Sequence, residues 1–264
     1  MMMKLRGVGV LVVSLLLCFV QAAQLIPKQV RTRPYVKLLK QAKPYNRVMF
    51  FDLDDTLYRR STGVVDQMKH VMGEYISEHV LMTKNIQAAQ QKADEYYTKY
   101  GLTVKGILAE RPDLDPREFE KYVDSNLKLQ EALKKNDQVL EMLNKMKGVR
   151  KWVLTNAGWT HAERTLKLLG LQDEFEGIIH SDYLERPNIT VKPEDRAYER
   201  AMEVVGEASG GYYFADDNPK FVEKARTHGW HAALVNESCA KSGEGTIKYI
   251  EDLPTVFPEL FNGN

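Results

Sequence analysis

VMFFDLDDTLY, at residues 48–58, carries the strongest structural signal in this chain. An apolar run of aromatic and β-branched residues stops at three carboxylates, those of Asp52, Asp54 and Asp55. This pattern is typical of a buried strand that opens into a site, and it predicts a strand over residues 48–53. A strand that ends in an Asp-rich turn would look the same. Polar residues at other strand ends must therefore decide between the two interpretations.

The second half of the chain alternates between strand and helix patterns. The predicted strands cover residues 151–155, 177–180, 212–215 and 232–235, and the predicted helices cover residues 138–147 (with Asp137 as N-cap), 160–169, 193–205 and 219–228. This alternation predicts right-handed βαβ units and a parallel sheet. The strand at residues 48–53 must join that sheet, because alone it could not bury both faces. We predict an α/β fold with three layers and a Rossmann-like parallel sheet.

The residues between these two parts show only helical periodicity. Apolar residues recur at spacings of three and four between residues 64 and 125, and no strand pattern interrupts them. Residues 61–133 are therefore predicted to form an all-helical cap inserted after the first strand. The α/β core is predicted to comprise residues 46–60 and 134–264.

The first 45 residues have a different character. Lys4 and Arg6 precede an apolar run at residues 7–20, and VQAA follows at residues 20–23. This pattern predicts that residues 1–23 are a cleaved signal peptide that directs the chain into the secretory pathway. A membrane anchor or an organelle-targeting sequence is the alternative, because more basic residues lie downstream of the run than upstream. Residues 24–45 are predicted to be a basic linker, in which Pro27, Pro34 and Pro44 discourage regular structure.

The composition excludes some classes of function. The 264 residues are 44% hydrophobic, and their formal net charge is +1. A nearly neutral chain does not suggest binding to nucleic-acid polymers or to membrane surfaces, apart from contact through an N-terminal anchor. Cys18 lies in the predicted signal, so Cys239 would be the single cysteine of the mature chain and could form no intramolecular disulfide. The oligomeric state is left open.

Carboxylate, hydroxyl and amide side chains follow several of the predicted strands, and a lysine precedes one of the predicted helices. In an open parallel sheet, ligands bind beyond the carboxyl ends of the strands. The residues predicted to meet there are Asp52, Asp54, Thr155, Asn156, Lys192, Asp216 and Asp217. A chance distribution would place such residues at both ends of the sheet.

These residue types suit phosphoryl transfer through a covalent intermediate. The carboxylate of Asp52 could attack phosphorus, and Asp54 could protonate the leaving oxygen and then activate water. A carboxylate that attacks a phosphate needs a cation, so we predict Mg²⁺ held by Asp52 with one or both of Asp216 and Asp217. Lys192 would add a fixed positive charge. Thr155 is predicted to bind the phosphate, and Asn156 to hydrogen-bond either the phosphate or residues 48–58.

Four motifs together resemble a known family. DLDDTLY at residues 52–58, VLTN at residues 153–156, Lys192-Pro193 and FADD at residues 214–217 are similar to the motifs of haloacid dehalogenase superfamily phosphatases. The resemblance implies an Mg²⁺-dependent aspartyl-phosphate mechanism. It also implies that Asp216 is a direct ligand of the metal and that Asp54 reaches the metal through its backbone carbonyl.

A narrower resemblance concerns the substrate. The segments at residues 50–58, 97–106, 153–171 and 216–229 resemble the pyrimidine 5′-nucleotidase branch, which implies hydrolysis of UMP or CMP. Phosphatases for phosphoglycolate or sugar phosphates, and binding proteins that keep the fold without turnover, are the alternatives. Tyr96, Tyr97, Tyr100 and Tyr122 are predicted either to stack on a base or to pack within the cap. His161 is predicted either to touch the substrate or to be a packing or surface residue.

Overall fold

The computed structural model describes residues 34–43 and 45–262, and a seven-stranded sheet runs through this part of the chain. The strands are β1 (Val36–Leu38), β2 (Arg47–Phe51), β3 (Val149–Leu154), β4 (Gly177–Ile179), β5 (Tyr212–Asp216), β6 (His231–Val235) and β7 (Thr246–Ile247). Their order is β1-β4-β3-β2-β5-β6-β7. All neighbouring strands are parallel except β1 and β4, which pair antiparallel.

The helices fall into two groups. The first group lies between residues 64 and 132 and comprises α1 (Val64–Tyr75), α2 (Ile86–Tyr100), α3 (Thr103–Glu110), α4 (Pro116–Asn126) and α5 (Leu129–Ala132), with a π-helical turn at Ile76–Val80. We call α1 to α5 the cap. The helices of the core are α6 (Asp137–Lys145), α7 (Trp159–Leu169), α8 (Asp195–Val205) and α9 (Pro219–Thr227). The predicted α/β fold is therefore confirmed, and so is the helical insertion, which follows β2.

Strand β2 lies in the middle of the sheet and is covered on both faces. Met49 and Phe51 contribute to the apolar core on one face, and Val48 and Phe50 to the core on the other. All four side chains are fully buried. This arrangement explains why the sequence shows a continuous apolar run where a half-exposed strand would alternate.

Several predicted boundaries are wrong in informative ways. The N-cap of α6 is Asn136 and not Asp137, because the Asn136 side chain accepts a hydrogen bond from the Val139 amide at 3.2 Å. Strand β3 begins two residues earlier than predicted, and helix α8 begins two residues later, at Asp195. The early start of β3 was hidden by Arg150, whose charge is atypical of a buried strand.

Strand β1 was missed altogether. It lies in the stretch interpreted as a basic linker without regular structure, and Val36 pairs with Ile179 at the edge of the sheet. Tyr35 and Val36 are buried in the same apolar core as Trp152. A three-residue strand is too short for a period of two to be recognised, so burial of these two side chains against the sheet decides the structure here.

A buried ion pair holds this N-terminal segment to the sheet. The carboxylate of Glu176 accepts hydrogen bonds from Arg150 Nε at 2.9 Å, from Trp152 Nε1 at 3.1 Å and from the backbone amide of Lys43 at 3.0 Å. The Arg150 side chain is inaccessible to solvent, and its Nη1 also donates to the carbonyl oxygen of Val205 at 2.6 Å. Glu176 therefore links β3 to the N-terminal segment through hydrogen bonds.

The predictions for the N-terminus are only partly covered. Residues 1–23, predicted to be a signal peptide or an anchor, lie outside the described residues. Within residues 34–43 and 45–262, no helix has the length and apolar character needed to cross a membrane. The predicted cleavage and destination stay predictions.

Candidate active site

The polar residues predicted at the strand ends meet where the parallel strands have their carboxyl ends. Asp52 follows β2 directly, and Asp216 is the last residue of β5. These strands pair in register, Phe51 beside Ala215, so the two carboxylates become neighbours. Thr155 follows β3, which pairs with β2 on the other side. The topology alone thus brings together residues from the carboxyl ends of three neighbouring strands.

Lys192 is fixed between two of these carboxylates. Its Nζ lies 2.7 Å from Asp52 Oδ1 and 2.6 Å from Asp216 Oδ2, and it donates to the Leu154 carbonyl oxygen at 2.9 Å. The side chain is 1% exposed. Burial alone would lower the pKa of Lys192, but the two carboxylates raise it above its ordinary value. Lys192 therefore supplies a permanent positive charge at the site.

Three carboxylates form a cluster that could hold a metal ion. One oxygen each from Asp52, Asp216 and Asp217 lies within 4.8 Å of the others. Burial raises the pKa of all three groups, and that of Asp217 reaches about 7 with a further contribution from Asp216. Lys192 offsets only part of this concentrated negative charge. A hard divalent cation with oxygen ligands fits the remaining charge and the ligand type.

Asp54 belongs to a second network. Its Oδ1 lies 2.7 Å from His161 Nε2 and accepts a hydrogen bond from the Tyr58 hydroxyl at 2.6 Å. Burial by itself would raise the pKa of Asp54, but these two partners hold it below its usual value. Its carboxylate is not one of the three clustered carboxylates. A role of Asp54 in metal binding could therefore come only through its backbone, as the family resemblance implied.

The side-chain amide of Asn156 binds the backbone of Lys192. Its Oδ1 accepts from the backbone amide of Lys192 at 2.8 Å, and its Nδ2 donates to the carbonyl oxygen of the same residue at 2.9 Å. The expected bond to residues 48–58 is absent from the described residues. Asn156 instead fixes the backbone that carries Lys192. Thr155 is buried beside it, and its hydroxyl accepts from the Ala157 amide at 3.0 Å.

A cavity of about 450 Å³ lies over these residues, between the core and the cap. Its core side includes Asp52, Asp54, Thr155, Asn156 and Asp217. Its cap side is largely apolar, with Val65, Met68, Met72, Phe119, Val123 and Leu127, and polar at Lys69, Asp94, Glu120 and Asp124. The reactive groups are therefore covered by a wall that the cap provides.

Residues 47–228, which include the cap, match a family model described as haloacid dehalogenase-like hydrolase. The chain belongs to this family. It is 31% identical over 201 residues to Phosphate metabolism protein 8 of Saccharomyces cerevisiae, a match that covers 72% of this chain and 62% of the relative. The chain thus accounts for less than two thirds of that relative's length.

Two solved structures show the same fold. One is L-2-haloacid dehalogenase from Xanthobacter autotrophicus, with a TM-score of 0.51, 14% identity, and coverage of 80% of this chain and 97% of that one. The other is β-phosphoglucomutase from Clostridium difficile, with a TM-score of 0.52, 14% identity, and coverage of 81% and 96%. The structural similarity supports the architecture of this haloacid dehalogenase-like hydrolase. At such low sequence identity it says nothing of the substrate.

Contacts between the cap and the core hold the cap over the cavity of this hydrolase. Arg164 of α7 pairs with the Asp124 carboxylate of α4 at 2.8 Å and donates to its carbonyl oxygen at 2.6 Å. Glu120 of α4 lies against the backbone at the start of α7, where a Cβ on Gly158 would come within 2.1 Å of its Oε1. A side chain at position 158 would therefore have to displace the carboxylate of Glu120.

Of the four tyrosines considered for stacking, only Tyr97 lines the cavity. Tyr96 is 2% exposed and packs in the apolar core. The ring of Tyr122 lies 5.3 Å from that of Tyr75, edge to face. Packing is therefore the observed role of Tyr96 and Tyr122, as the alternative interpretation held.

The roles of His161 and Tyr58 escaped the sequence analysis. His161 is buried beside Asp54, which neither of the interpretations offered from sequence had foreseen. Its place in the first turn of a helix after a strand end had marked His161 as a candidate for contact with the substrate, and it does line the cavity. Its contact with Asp54 had no signal in the sequence. Tyr58 follows Asp54 by four residues with no pattern that marks it as a partner.

Proposed function

We propose that this hydrolase is an Mg²⁺-dependent phosphatase that cleaves a small phosphate monoester through an aspartyl-phosphate intermediate. The observation that carries the proposal is the placement of Asp52, a carboxylate at a strand end that Lys192 holds at 2.7 Å beside two further carboxylates. A nucleophile, a fixed cation and a set of hard oxygen ligands are the groups that attack on a phosphate requires.

The residues suggest the following division of work. A carboxylate oxygen of Asp52 attacks phosphorus, the bond to the leaving oxygen breaks, and Asp54 gives that oxygen a proton. Water then attacks the phosphorus, Asp54 takes a proton from it, and the electron pair of the breaking bond returns to Asp52. Lys192 holds Asp52 in place throughout. Mg²⁺, when held by Asp52, Asp216 and Asp217, would offset the charge of the phosphate.

For the substrate we propose a pyrimidine nucleoside 5′-monophosphate. The cavity of about 450 Å³ has the size of an ordinary small-molecule site. Phe119 and Tyr97 offer aromatic surface to a base, and Asp94, Glu120 and Lys69 offer polar groups to its edge or to the sugar. A substrate without an aromatic base, such as phosphoglycolate or a sugar phosphate, would leave the apolar wall of the cap in contact with water.

A substrate panel tests this choice. Purified protein with Mg²⁺ would be assayed for phosphate release from UMP, CMP, AMP, GMP, phosphoglycolate and glucose 6-phosphate. We expect kcat/KM for UMP or CMP to exceed that for the others at least about tenfold, which corresponds to about 1.4 kcal/mol of selective contact with the base. Equal values for all substrates would refute the nucleotidase proposal and leave the phosphatase proposal intact.

Binding of the metal ion can be tested without turnover. Mg²⁺ should raise the thermal unfolding midpoint, because an ion present at 100 times its Kd stabilises the folded state by about 2.7 kcal/mol. The variant Asp217→Asn should be more stable than the wild type in EDTA, because it relieves repulsion among the carboxylates, and should gain less from Mg²⁺. Differential scanning fluorimetry over a range of Mg²⁺ concentrations measures both effects. Identical Mg²⁺ responses of the two proteins would contradict the assigned ligands.

A further inference from the structure

Asp54 receives both of its hydrogen bonds on one oxygen. The Tyr58 hydroxyl donates to Oδ1 at 2.6 Å, and His161 Nε2 lies 2.7 Å from the same atom. A carboxylate can only accept, so the proton of this contact belongs to Nε2 of His161. Among the described residues no hydrogen bond ends on Oδ2. The carboxylate is thus held at one oxygen and left free at the other.

His161 is buried, and its contact with Asp54 is the one hydrogen bond that its ring makes among the described residues, because Nδ1 has no partner there. Its side chain is 7% exposed, and it lies in the first turn of α7. One turn further along α7, Arg164 binds both the carboxylate and the carbonyl oxygen of Asp124 in the cap. The imidazole therefore has little freedom to turn away from Asp54, because the surrounding side chains and the anchored helix confine it.

We propose that His161 is a positioning residue for the reaction, which acts by fixing Asp54 so that Oδ2 takes the proton of the attacking water. The inference rests on the phosphatase function proposed above. In this step the water oxygen bonds to phosphorus, the bond between phosphorus and Asp52 breaks, and its electron pair returns to the Asp52 carboxylate. The proton moves to Asp54 Oδ2, and Asp54 later gives it to the leaving oxygen of the next substrate.

The two donors make hydrolysis of the phosphoenzyme the step that depends most on His161. Nitrophenolate leaves without a proton, so the attack by Asp52 on p-nitrophenyl phosphate needs no proton from Asp54. The attack by water, in the second half of the reaction, needs a correctly oriented acceptor, and the two donors on Oδ1 set the orientation of Asp54. Loss of His161 should slow that half more than the attack by Asp52.

The test compares full-length wild type with His161→Leu and His161→Gln on p-nitrophenyl phosphate. For His161→Leu we expect kcat to fall about 10²-fold, within the range that a general base contributes. KM should fall in parallel and kcat/KM should change little, because slow hydrolysis of an accumulated intermediate lowers both constants. Stopped-flow traces should show a burst of nitrophenolate, and acid quenching should trap a phosphorylated protein.

The burst also guards against a folding artefact, since its amplitude counts active sites and kcat can be corrected for partial unfolding. His161→Gln places an amide donor near the position of Nε2 and should recover kcat to within about tenfold of the wild type. His70→Leu is the matched control, because His70 forms an exposed pair with Glu74 on α1 and should leave both constants unchanged.

The outcomes separate this inference from the function on which it rests. If the wild type releases no nitrophenolate, or if Asp52→Asn still releases it, the proposed phosphatase function fails. If those two proteins behave as expected, the positioning role is overturned by a His161→Leu variant with unchanged kcat. It is also overturned by a variant whose kcat/KM falls as far as kcat without trapped phosphoenzyme.

Discussion

Asp52→Asn is expected to lower the rate of phosphate release at least about 10⁴-fold, a loss of about 5.4 kcal/mol of transition-state stabilisation. An amide has the shape of a carboxylate but cannot attack phosphorus to form an acyl phosphate. The substitution also removes one negative charge from a cluster of three, so the folded state should tolerate it. The measurement is kcat/KM on p-nitrophenyl phosphate with saturating Mg²⁺, together with a far-UV circular dichroism spectrum.

The matched control for this variant is Asp173→Asn. Asp173 is exposed in the short 3₁₀ helix Gln172–Glu174 of the core, so the same chemical change there should leave kcat/KM within about twofold of the wild type. An Asp52→Asn protein that folds and keeps more than about one hundredth of the activity would show that Asp52 is not the nucleophile.

Glu176→Leu is expected to lower the free energy of unfolding by about 3–5 kcal/mol. The substitution leaves Arg150 buried with an unpaired charge, and it also removes the acceptor for Trp152 Nε1 and for the Lys43 amide. A buried charge without a partner lowers the free energy of unfolding strongly, because no water can solvate it. Equilibrium urea unfolding followed by far-UV circular dichroism measures the difference without relying on the fluorescence of Trp152.

A double variant separates the charge from the packing. Arg150→Met in the Glu176→Leu background removes the unpaired charge and should recover more than half of the lost stability, because apolar residues often replace a buried ion pair at little cost. Glu141→Leu is the control, since Glu141 and Lys145 form an exposed pair on α6 that contributes at most about 0.5 kcal/mol. A double variant no more stable than Glu176→Leu would contradict the charge argument.

The chain's own pattern predicted much of the fold because the relevant signals are local. Each predicted strand of the sheet core exists, and the positions of Asp52, Thr155 and Asp216 at strand ends followed from hydrophobic runs of four to six residues. Strand β1 did not follow, because three residues carry no measurable period. The buried Arg150 did not follow either, because a charged residue in sequence gives no sign of a partner 26 positions away.

The candidate site, too, was predicted only in part from the sequence. From the sequence alone come the kinds of group present, the sheet edge at which Asp52, Lys192 and Asp216 meet, and the phosphoryl chemistry that this set suits. Only the tertiary structure decides that Asn156 holds the backbone of Lys192, and that His161 binds Asp54 across 107 positions. The physical reason is range. Hydrophobic periodicity acts between neighbours along the chain, whereas side-chain pairs and the shape of the cavity depend on how remote segments fill space against each other.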